Sequence, residues 1–507
     1  MKFKSLLPLT LLLLASCSGK ESSANPSLAS STQTSNQSSI QTTNTTGSGP
    51  ASSPSVSLDV PPASPQVTDA SFLELFAPKS IVAISIDFPK ASLEFIDQYQ
   101  QKGSRFREIY VPADFAITIN GERTEYPEVG IRMKGNTSRT YVYQYGELVP
   151  VHFKISFKAT FDGEEYDLPE TSAFKKSWDA DARKIRKKRN LRGLEKMDLK
   201  YVPRNAGSSC CLAREIYCYD AFRSANIPAP YASICDLTFG DGELSYSGKY
   251  EIIESIDKEF LKKRLGKDEA QGDLYKCVYN DMGPADLARN NAVDRTSGRR
   301  ILYGKIGVEN DLEGYEPSYQ LKTNDDNGEN SDFSAMADYI FTMWKLVYSK
   351  APESELNRIL DVDEFLRFSA VSYLLGNFDD QRYNANNYYI YFSPSTKKAI
   401  YIPYDWDWGL GLGEEIMDVS TLSPLDERTL NNVNVPNVYH ATFFQSKKND
   451  LAYSNADMTA TYLGYVSHYK DEVLNYSSFT ALSSYHGKAY ENEQVRTYMN
   501  KKSQCLA

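Results

Sequence analysis

The first half of the chain, after a polar N-terminal stretch, alternates between apolar and polar residues. This is the pattern of strands that bury one face. β-branched and aromatic residues fill the apolar positions. The turn Gly240-Asp241-Gly242 separates the runs Tyr231–Phe239 and Glu243–Ile253 and predicts that they form a hairpin. The predicted strands are Ile81–Phe88, Phe115–Ile119, Val129–Lys134, Val151–Phe157, Leu194–Leu199, Tyr231–Phe239, Glu243–Ile253 and Leu274–Tyr279.

Apolar residues at helical spacing dominate the second half. They predict amphipathic helices over Phe333–Tyr348 and Asp361–Phe378. Two helices are predicted earlier, over Cys211–Ala225 and Asp257–Leu265, with Asp257 as the N-cap of the second. A β-rich first half followed by a helix-rich second half predicts an α+β fold.

A late hairpin is predicted from two short apolar runs, Tyr388–Phe392 and Ala399–Tyr404, and polar residues flank it on both sides. Asp379 precedes the hairpin at the end of a helical pattern, and Asp405 and Asp407 follow it. In an extended chain, carboxylates two residues apart lie on one face. A helix end, a polar loop and a strand end are where proteins present oxygen ligands to a hard divalent cation.

The same segment reads D-x7-N-x17-D-x-D from Asp379 to Asp407, with NNYYIYF and YIPYDWDWGLG inside it. It resembles the spore coat CotH kinase family. Three further motifs are similar to that family in the same order, and the resemblance covers roughly residues 75 to 415. They are VGIRMKGNTSRT (Val129–Thr140), GKYEIIESIDKEFLKKRLG (Gly248–Gly266) and GDLYKC (Gly272–Cys277).

The resemblance implies an atypical protein kinase with two lobes. Such an enzyme transfers the γ-phosphate of ATP to a hydroxyl with the help of Mg²⁺ or Mn²⁺. It implies that Asp379 orients the attacking hydroxyl, with Asp380 as the alternative. The metal ligands that it implies are Asn387, with Asn386 as the alternative, together with Asp405 and Asp407.

Two lysines are candidates to hold the nucleotide phosphates. Lys276 ends a predicted strand, and Lys134 precedes a glycine turn whose backbone N–H groups can bind anions. Glu254 is the candidate ion-pair partner of either lysine. The sequence contains neither GxGxxG nor GxxxxGK[ST], so any phosphate-binding loop is unconventional.

The N-terminus has the features of a bacterial lipoprotein signal. Lys2 and Lys4 precede an apolar segment too short to span a bilayer, and Leu14-Ala15-Ser16-Cys17 fits a lipobox with Cys17 as the lipidated residue. An ordinary signal peptide cut after small residues is the alternative. The prediction is a protein anchored by lipid in the cell envelope, at the outer membrane or cell surface.

Residues 21–60 contain 19 Ser or Thr and almost no large apolar residue, so they cannot bury a core and are predicted to form a disordered tether. The predicted division is a signal peptide at 1–17, a tether at 18–70, a kinase-like domain at 71–430 and a C-terminal helical extension at 431–507. The net charge of −10, without a sustained basic face, argues against nucleic acid as a partner. The run Arg183–Arg189 is read as a solvated face, with a docking patch for an acidic substrate as the alternative.

Six cysteines follow Cys17, and an even number in an exported protein predicts up to three disulfides. A zinc site is the alternative, but neither cysteine nor histidine shows zinc-ligand spacing. The cysteines are Cys210, Cys211, Cys218, Cys235, Cys277 and Cys505.

Two other functions are open at the level of sequence. A non-catalytic surface protein could use a kinase-derived scaffold to bind coat proteins or glycans. A glycoside hydrolase would use two carboxylates, but Asp405 and Asp407 are too close in sequence to flank a sugar unaided. The kinase hypothesis names a protein substrate at the cell surface and the membrane as partners.

Overall fold

A computed structural model of the chain describes residues 58, 60–62, 66–135, 138–201, 213–279, 284–287, 318–324, 334–349, 351–413, 418–425, 456–485 and 493–506. All of them lie in one compact unit, Val56–Ala507. The predictions for Cys17, and for the tether up to residue 57, fall outside the described residues.

The first half forms a closed sheet of seven strands. The chain order of strands is β1 (Val82–Asp87), β2 (Val111–Ile119), β3 (Glu122–Met133), β4 (Tyr143–Gln144), β5 (Glu147–Leu148), β6 (Phe153–Ser156), β7 (Lys196–Tyr201), β8 (Ala232–Gly240) and β9 (Ser245–Glu254). The order around the barrel is β1-β2-β3-β6-β7-β9-β8, and β4 and β5 form a separate hairpin. Parallel pairing of β1 with β8 closes the barrel.

Side chains along the barrel strands alternate between the interior and the outside. In β1, Val82, Ile84 and Ile86 are buried and the residues between them are not, so every second side chain enters the core. Two helices that the sequence patterns did not predict belong to this half, α1 (Ala70–Phe76) and α2 (Lys90–Tyr99). A third such helix, α3 (Ala180–Arg186), overlaps the first part of the basic run Arg183–Arg189.

The second half combines a small sheet with helices. Its strands are β10 (Leu274–Cys277), β11 (Tyr319–Leu321), β12 (Tyr388–Phe392) and β13 (Ala399–Pro403), in the order β11-β10-β12-β13. The helices are α4 (Arg214–Ser224), α5 (Lys258–Leu265), α6 (Ser334–Tyr348), α7 (Glu353–Leu356), α8 (Val362–Leu375), α9 (Ala456–Val473), α10 (Tyr476–Tyr485) and α11 (Glu493–Cys505).

Helix α8 lies at the centre of this second core. Its residues from Phe365 to Leu375 are all buried, which explains why its sequence is apolar or small around most of its circumference. The described helices of the predicted C-terminal extension contribute Val466 and Tyr498 to the same core. At the other end of the chain, Leu58 also packs against this core.

The mixed α and β composition is as predicted, and each predicted strand and helix is present. Most bounds agree within a few residues, but β2 begins four residues and β3 seven residues before the predicted start. The closed barrel was not predicted. The two-lobed kinase arrangement stays a prediction. No helix in the described part of the chain combines the length and the hydropathy needed to cross a membrane.

The prediction of three disulfides is wrong. Cys235 and Cys277 are buried free thiols, and Cys505 is a partly exposed one, so at least three of the six cysteines do not pair. The first two lie on strands of different sheets, where the core isolates each thiol. Cys210 and Cys211 lie outside the described residues.

Candidate functional site

Lys200 lies at the centre of the candidate site. Its Nζ atom is 2.7 Å from Glu215 Oε2, 2.5 Å from Asp405 Oδ1 and 3.0 Å from Asp407 Oδ2. The side chain is buried, with 10% of its surface exposed. One ammonium group therefore joins strand β7, helix α4 and the segment after β13.

Glu215 holds this arrangement from the first turn of α4. Its Oε1 atom accepts hydrogen bonds from the Tyr219 hydroxyl at 2.7 Å and from the Trp406 backbone N–H at 3.3 Å. The Tyr219 hydroxyl in turn accepts from the Asp405 backbone N–H at 3.0 Å. Helix α4 is thereby hydrogen-bonded to the backbone that carries Asp405 and Asp407.

The chain turns sharply where β13 ends. Asp405 has a φ of 57°, a left-handed conformation that costs a non-glycine residue energy and is concentrated at functional sites. Trp406 is fully buried, with its ring 4.7 Å from that of Phe222 between centroids. The buried indole fixes the two flanking carboxylates on the opposite side, where 36% of Asp405 and 39% of Asp407 is exposed.

The carboxylates of the cluster differ in their proton affinity. Burial favours protonation of Asp405, but Lys200 and Lys134 outweigh it and lower the pKa of Asp405 to about 2. Burial raises the pKa of Asp407 to about 7, with repulsion from Asp405 acting in the same direction against the attraction of Lys200. The two neighbouring aspartates thus have unlike affinities for a proton.

Glu251 adds a fourth carboxyl group. It lies opposite Lys200 in the pairing of β7 with β9. Burial, followed by repulsion from Glu215, raises the pKa of Glu251 well above its usual value. Four carboxyl groups thus surround one ammonium group, and this excess of acidic groups fits the binding of a divalent cation.

Lys134 lies on the neighbouring part of the barrel. Its Nζ atom is 2.9 Å from Asp198 Oδ2, and Lys154 Nζ lies 3.2 Å from Asp198 Oδ1. Lys134 also lies 5.2 Å from the centroid of the Tyr404 ring. Lys276 approaches the same ring to 4.6 Å.

The structure therefore brings both predicted lysines to the residues around Asp405. Lys134, Lys200 and Lys276 each contribute a positive potential that lowers the pKa of Asp405. Several lysines directed at one point suit a polyphosphate, which carries several negative charges along a short chain.

Asp379 lies in the loop that follows α8. Its carboxylate accepts hydrogen bonds from the side-chain amides of Asn384 at 2.5 Å, Asn386 at 3.1 Å and Asn387 at 3.0 Å. Burial raises the pKa of Asp379, although these amides oppose the shift. The three asparagines fix the orientation of one carboxylate.

Asn377 connects this loop to the aspartates beyond β13. Its amide donates to the Asp405 backbone carbonyl at 3.3 Å, and its oxygen accepts from the Asp379 backbone N–H at 2.9 Å. The Tyr404 N–H donates to the Asn387 carbonyl at 3.2 Å. Asp379 and Asp405 are therefore held next to each other by backbone as well as side-chain bonds.

The structure separates two predicted residues from these groups. Glu254 forms a buried ion pair with Arg264 at 2.6 Å, so the expected pairing of Glu254 with Lys134 or Lys276 is wrong. Asp380 is buried and accepts from the Arg382 and Tyr383 backbone N–H groups, which is the role of a loop cap.

Only two of the three predicted metal ligands, Asp405 and Asp407, contact the same group. Asp405 and Asp407 converge on Lys200, whereas Asn387 donates its side-chain amide to Asp379. Within the described ranges, no three His, Cys, Asp or Glu side chains are already arranged around a metal position.

Sequence reasoning missed Lys200, Glu215 and Glu251. Lys200 and Glu251 occur in strands with apolar residues at alternate positions, KMDLKY and KYEIIE, and a charge that is buried in such a strand needs a partner. That was the available signal. Glu215 follows Arg214 at the start of a helix, and nothing in the local sequence distinguishes it from an ordinary first-turn acid.

The family model described as "CotH kinase protein" matches residues 131–481, which is more than half of the 507 residues. The match includes every residue of the site described above. No curated protein sequence matches the chain.

Proposed function

Because the chain belongs to the CotH kinase protein family, which indicates a kinase-like function, we propose that it transfers the γ-phosphoryl group of ATP to Ser or Thr hydroxyls of a surface or coat protein. The family match confirms the resemblance drawn from the motifs. The proposal includes Mg²⁺ or Mn²⁺ as the metal and a lipid on Cys17 that tethers the enzyme in the cell envelope.

One observation carries the proposal. Lys200 on a barrel strand is paired with Glu215 on a helix, and Asp405 and Asp407 at a strand end lie against the same ammonium group. Protein kinases arrange a strand lysine, a helix glutamate and a strand-end aspartate in this way around the nucleotide phosphates. Lys200 and Glu215, unlike the two aspartates, lie outside the sequence motifs that carry the family resemblance.

The residues present fit a divalent cation. Asp405 and Asp407 are partly exposed carboxylates in a cluster with an excess of acidic groups, and the Asn387 oxygen lies on the adjoining loop. A cation bound there would neutralise charge on the β- and γ-phosphates. Lys134, Lys200 and Lys276 would contact the remaining phosphate oxygens.

Asp379 would accept the proton of the attacking hydroxyl. The hydroxyl oxygen forms a bond to the γ-phosphorus, the bond from that phosphorus to the bridging oxygen breaks, and ADP leaves. The amides of Asn384, Asn386 and Asn387 would keep the carboxylate pointed at the hydroxyl during this step. The raised pKa of Asp379 makes it a better proton acceptor than an exposed aspartate.

Two variants test the proposal together. Asp379→Asn keeps the shape of the side chain, so ATP should still bind in the presence of Mg²⁺ or Mn²⁺ while transfer falls by about 10² to 10⁴. Asp405→Ala removes a metal carboxylate, so metal-dependent nucleotide binding should itself be lost. Asp236→Asn, at an exposed ion pair with Lys249, is the control.

Isothermal titration measures binding, and radiolabel transfer to a Ser/Thr-rich acceptor peptide measures activity. The proposal fails if the parent protein binds no nucleotide with either metal, or if Asp379→Asn transfers phosphate at the parent rate. If the parent binds no nucleotide, a non-catalytic scaffold for surface assembly becomes the alternative function. If Asp379→Asn keeps the parent rate, Asp379 is not the residue that accepts the proton of the hydroxyl.

A further inference from the structure

Helix α11 lies beyond the part of the chain that matches the family model, which ends at residue 481. It is nevertheless an integral part of the second core, because Val495, Tyr498 and Met499 are all buried there. The polar side chains of α11 reach three separate segments. Each segment carries or adjoins the elements of the candidate site.

The first contact is made by Gln494. Its Oε1 atom accepts a hydrogen bond of 3.4 Å from Arg214, the residue directly before Glu215. Arg214 is buried and uses its other nitrogen to donate to the backbone carbonyls of Gly409 at 2.5 Å and Leu410 at 3.0 Å. Those carbonyls follow Asp407 by two and three residues. Arg214 therefore connects α4 to the segment that presents the metal-type aspartates.

The second contact is made by Tyr498. Its hydroxyl donates to the Leu374 carbonyl at 2.9 Å, in the last turn of α8. A Cβ atom on Gly376 would lie 2.0 Å from the same hydroxyl, so the Tyr498 side chain packs directly on the residue that ends the helix. Asp379 follows Gly376 by three residues. The Leu410 N–H also donates to the Leu375 carbonyl at 2.7 Å, which joins the first contact to the second.

The third contact is made by Lys502, which is completely buried. Its Nζ atom donates to the Val419 carbonyl at 2.5 Å and lies 4.1 Å from the centroid of the Tyr373 ring. The Tyr373 hydroxyl donates to the Leu422 carbonyl at 2.7 Å. A segment downstream of Asp407 is thus fastened to both α8 and α11.

We propose that Gln494, Tyr498 and Lys502 form a C-terminal clamp that keeps the catalytic segments in register, with Arg214 as the positioning residue. The inference rests on the proposed phosphotransferase function. Arg214 couples Glu215 to the backbone behind Asp407. Tyr498 holds the end of α8, which the Leu410 N–H joins to the same backbone. The clamp residues contact Arg214, the end of α8 and the segment around Val419, and they act through these segments.

The physical reason lies in the sensitivity of transfer to geometry. Displacement of a catalytic group by 1 Å can cost about a hundredfold in rate even when the change is remote. Ground-state nucleotide binding depends less on alignment between Asp379 and the aspartates after β13. Loosening the clamp should therefore lower kcat and leave the affinity for nucleotide nearly unchanged.

Two clamp variants and two matched variants form the experiment. Gln494→Ala removes the acceptor of Arg214, and Gln494→Glu restores an acceptor of the same size. Tyr498→Phe removes one hydroxyl and keeps the ring. Tyr476→Phe is its control, because the Tyr476 hydroxyl on α10 accepts from Arg496 and contacts no site segment in its described bonds.

We expect kcat to fall about tenfold in Gln494→Ala and Tyr498→Phe, with the KM for ATP changed less than about twofold. Gln494→Glu should recover most of the rate, and Tyr476→Phe should match the parent. Amide hydrogen exchange in residues 374–380 and 405–411 should accelerate in the two clamp variants alone. The clamp is overturned if kcat stays within twofold of the parent, or if KM rises in proportion to the loss of kcat.

Hydrogen exchange separates this inference from the proposed function. A parent protein that transfers no phosphate overturns the function, and with it the catalytic role of the clamp. An active parent whose two clamp variants show parent-like exchange and parent-like kcat leaves the function standing and overturns the clamp alone.

Discussion

Lys200 and Glu215 form an ion pair of 2.7 Å that links a barrel strand to the first turn of α4, with 10% and 1% of the two side chains exposed. Because both side chains are buried, removal of either charge would leave the other buried without a partner and would destabilise the folded protein. Asp405 and Asp407 lie against the same ammonium group. The lysine is consequently both a structural tie and one of the three lysines proposed to contact phosphate.

Lys200→Met should weaken binding of the ATP–Mg²⁺ complex at least about tenfold, because a charge-assisted contact to phosphate is lost. It should also lower the free energy of unfolding by roughly 3 to 5 kcal/mol, since Glu215 is left buried without its cation. Isothermal titration and urea unfolding measure the two effects. Lys249→Met is the control: its pair with Asp236 is exposed and should contribute less than about 1 kcal/mol. Equal effects of the two substitutions would contradict the prediction.

A second prediction concerns Gly409, which lies two residues after Asp407. A Cβ atom at this position would lie 2.9 Å from the Cys218 sulfur on α4, closer than packed atoms tolerate. Gly409→Ala should therefore destabilise the protein by about 1 to 3 kcal/mol. Cys218→Ala in the same chain removes the sulfur and should recover part of that loss. A double-mutant cycle in urea measures the coupling, and additive effects would argue against the contact.

The sequence predicted local structure correctly where the residues of a single element, or of two adjacent elements, determine that structure. The predicted runs Tyr388–Phe392 and Ala399–Tyr404 match β12 and β13 within one residue, because two continuous apolar runs of strand length flank a polar turn. Asp257 caps α5 as predicted, accepting from the Glu259 and Phe260 N–H groups. The motif from Asp379 to Asp407 also predicted that its two ends lie close together in space. Asn377 hydrogen-bonds to the backbone of both Asp379 and Asp405.

Ion pairs and strand pairs between residues far apart in the sequence could not be predicted in the same way. Lys200 and Asp405 are 205 residues apart, and a single lysine in a strand carries no mark of its distant partner. Glu254 illustrates the converse error. It was expected to pair with a phosphate-binding lysine, but Arg264 on the next helix forms an ion pair with its carboxylate. Barrel closure through the parallel pairing of β1 with β8 likewise depends on strands that no local turn connects.

The thiols provide a third prediction. Cys235, Cys277 and Cys505 are free, so the denatured protein titrated without reductant should contain at least three reactive thiols per chain. Titration with an aromatic disulfide reagent in guanidinium measures them. A parallel reduced sample gives the total and serves as the control. Fewer than three thiols before reduction would contradict the structure.

The last prediction concerns Lys502, whose burial lowers its pKa to about 7 from an ordinary value above 10. Its Nζ atom donates to the Val419 carbonyl in a fully buried position, and Cys505, Arg382 and Asp418 are the charged or titratable groups that act on it. Below pH 7 the amine is charged in both the folded and the unfolded chain. Between pH 7 and about 10 the unfolded chain binds the proton and the folded chain does not.

The contribution of Lys502 to the free energy of unfolding should therefore increase as the pH rises above 7, because the unfolded chain binds more protons than the folded chain in that range. Urea unfolding of the parent and of Lys502→Met at pH 7, 8 and 9 measures the effect, and the difference between the two proteins cancels the titration of other groups. The parent should gain free energy of unfolding relative to Lys502→Met at each step. Lys501→Met is the control, because its amine is partly exposed beside Asp418 and should show no such trend. A difference between parent and Lys502→Met that stays constant from pH 7 to 9 would mean that the buried amine keeps its proton throughout.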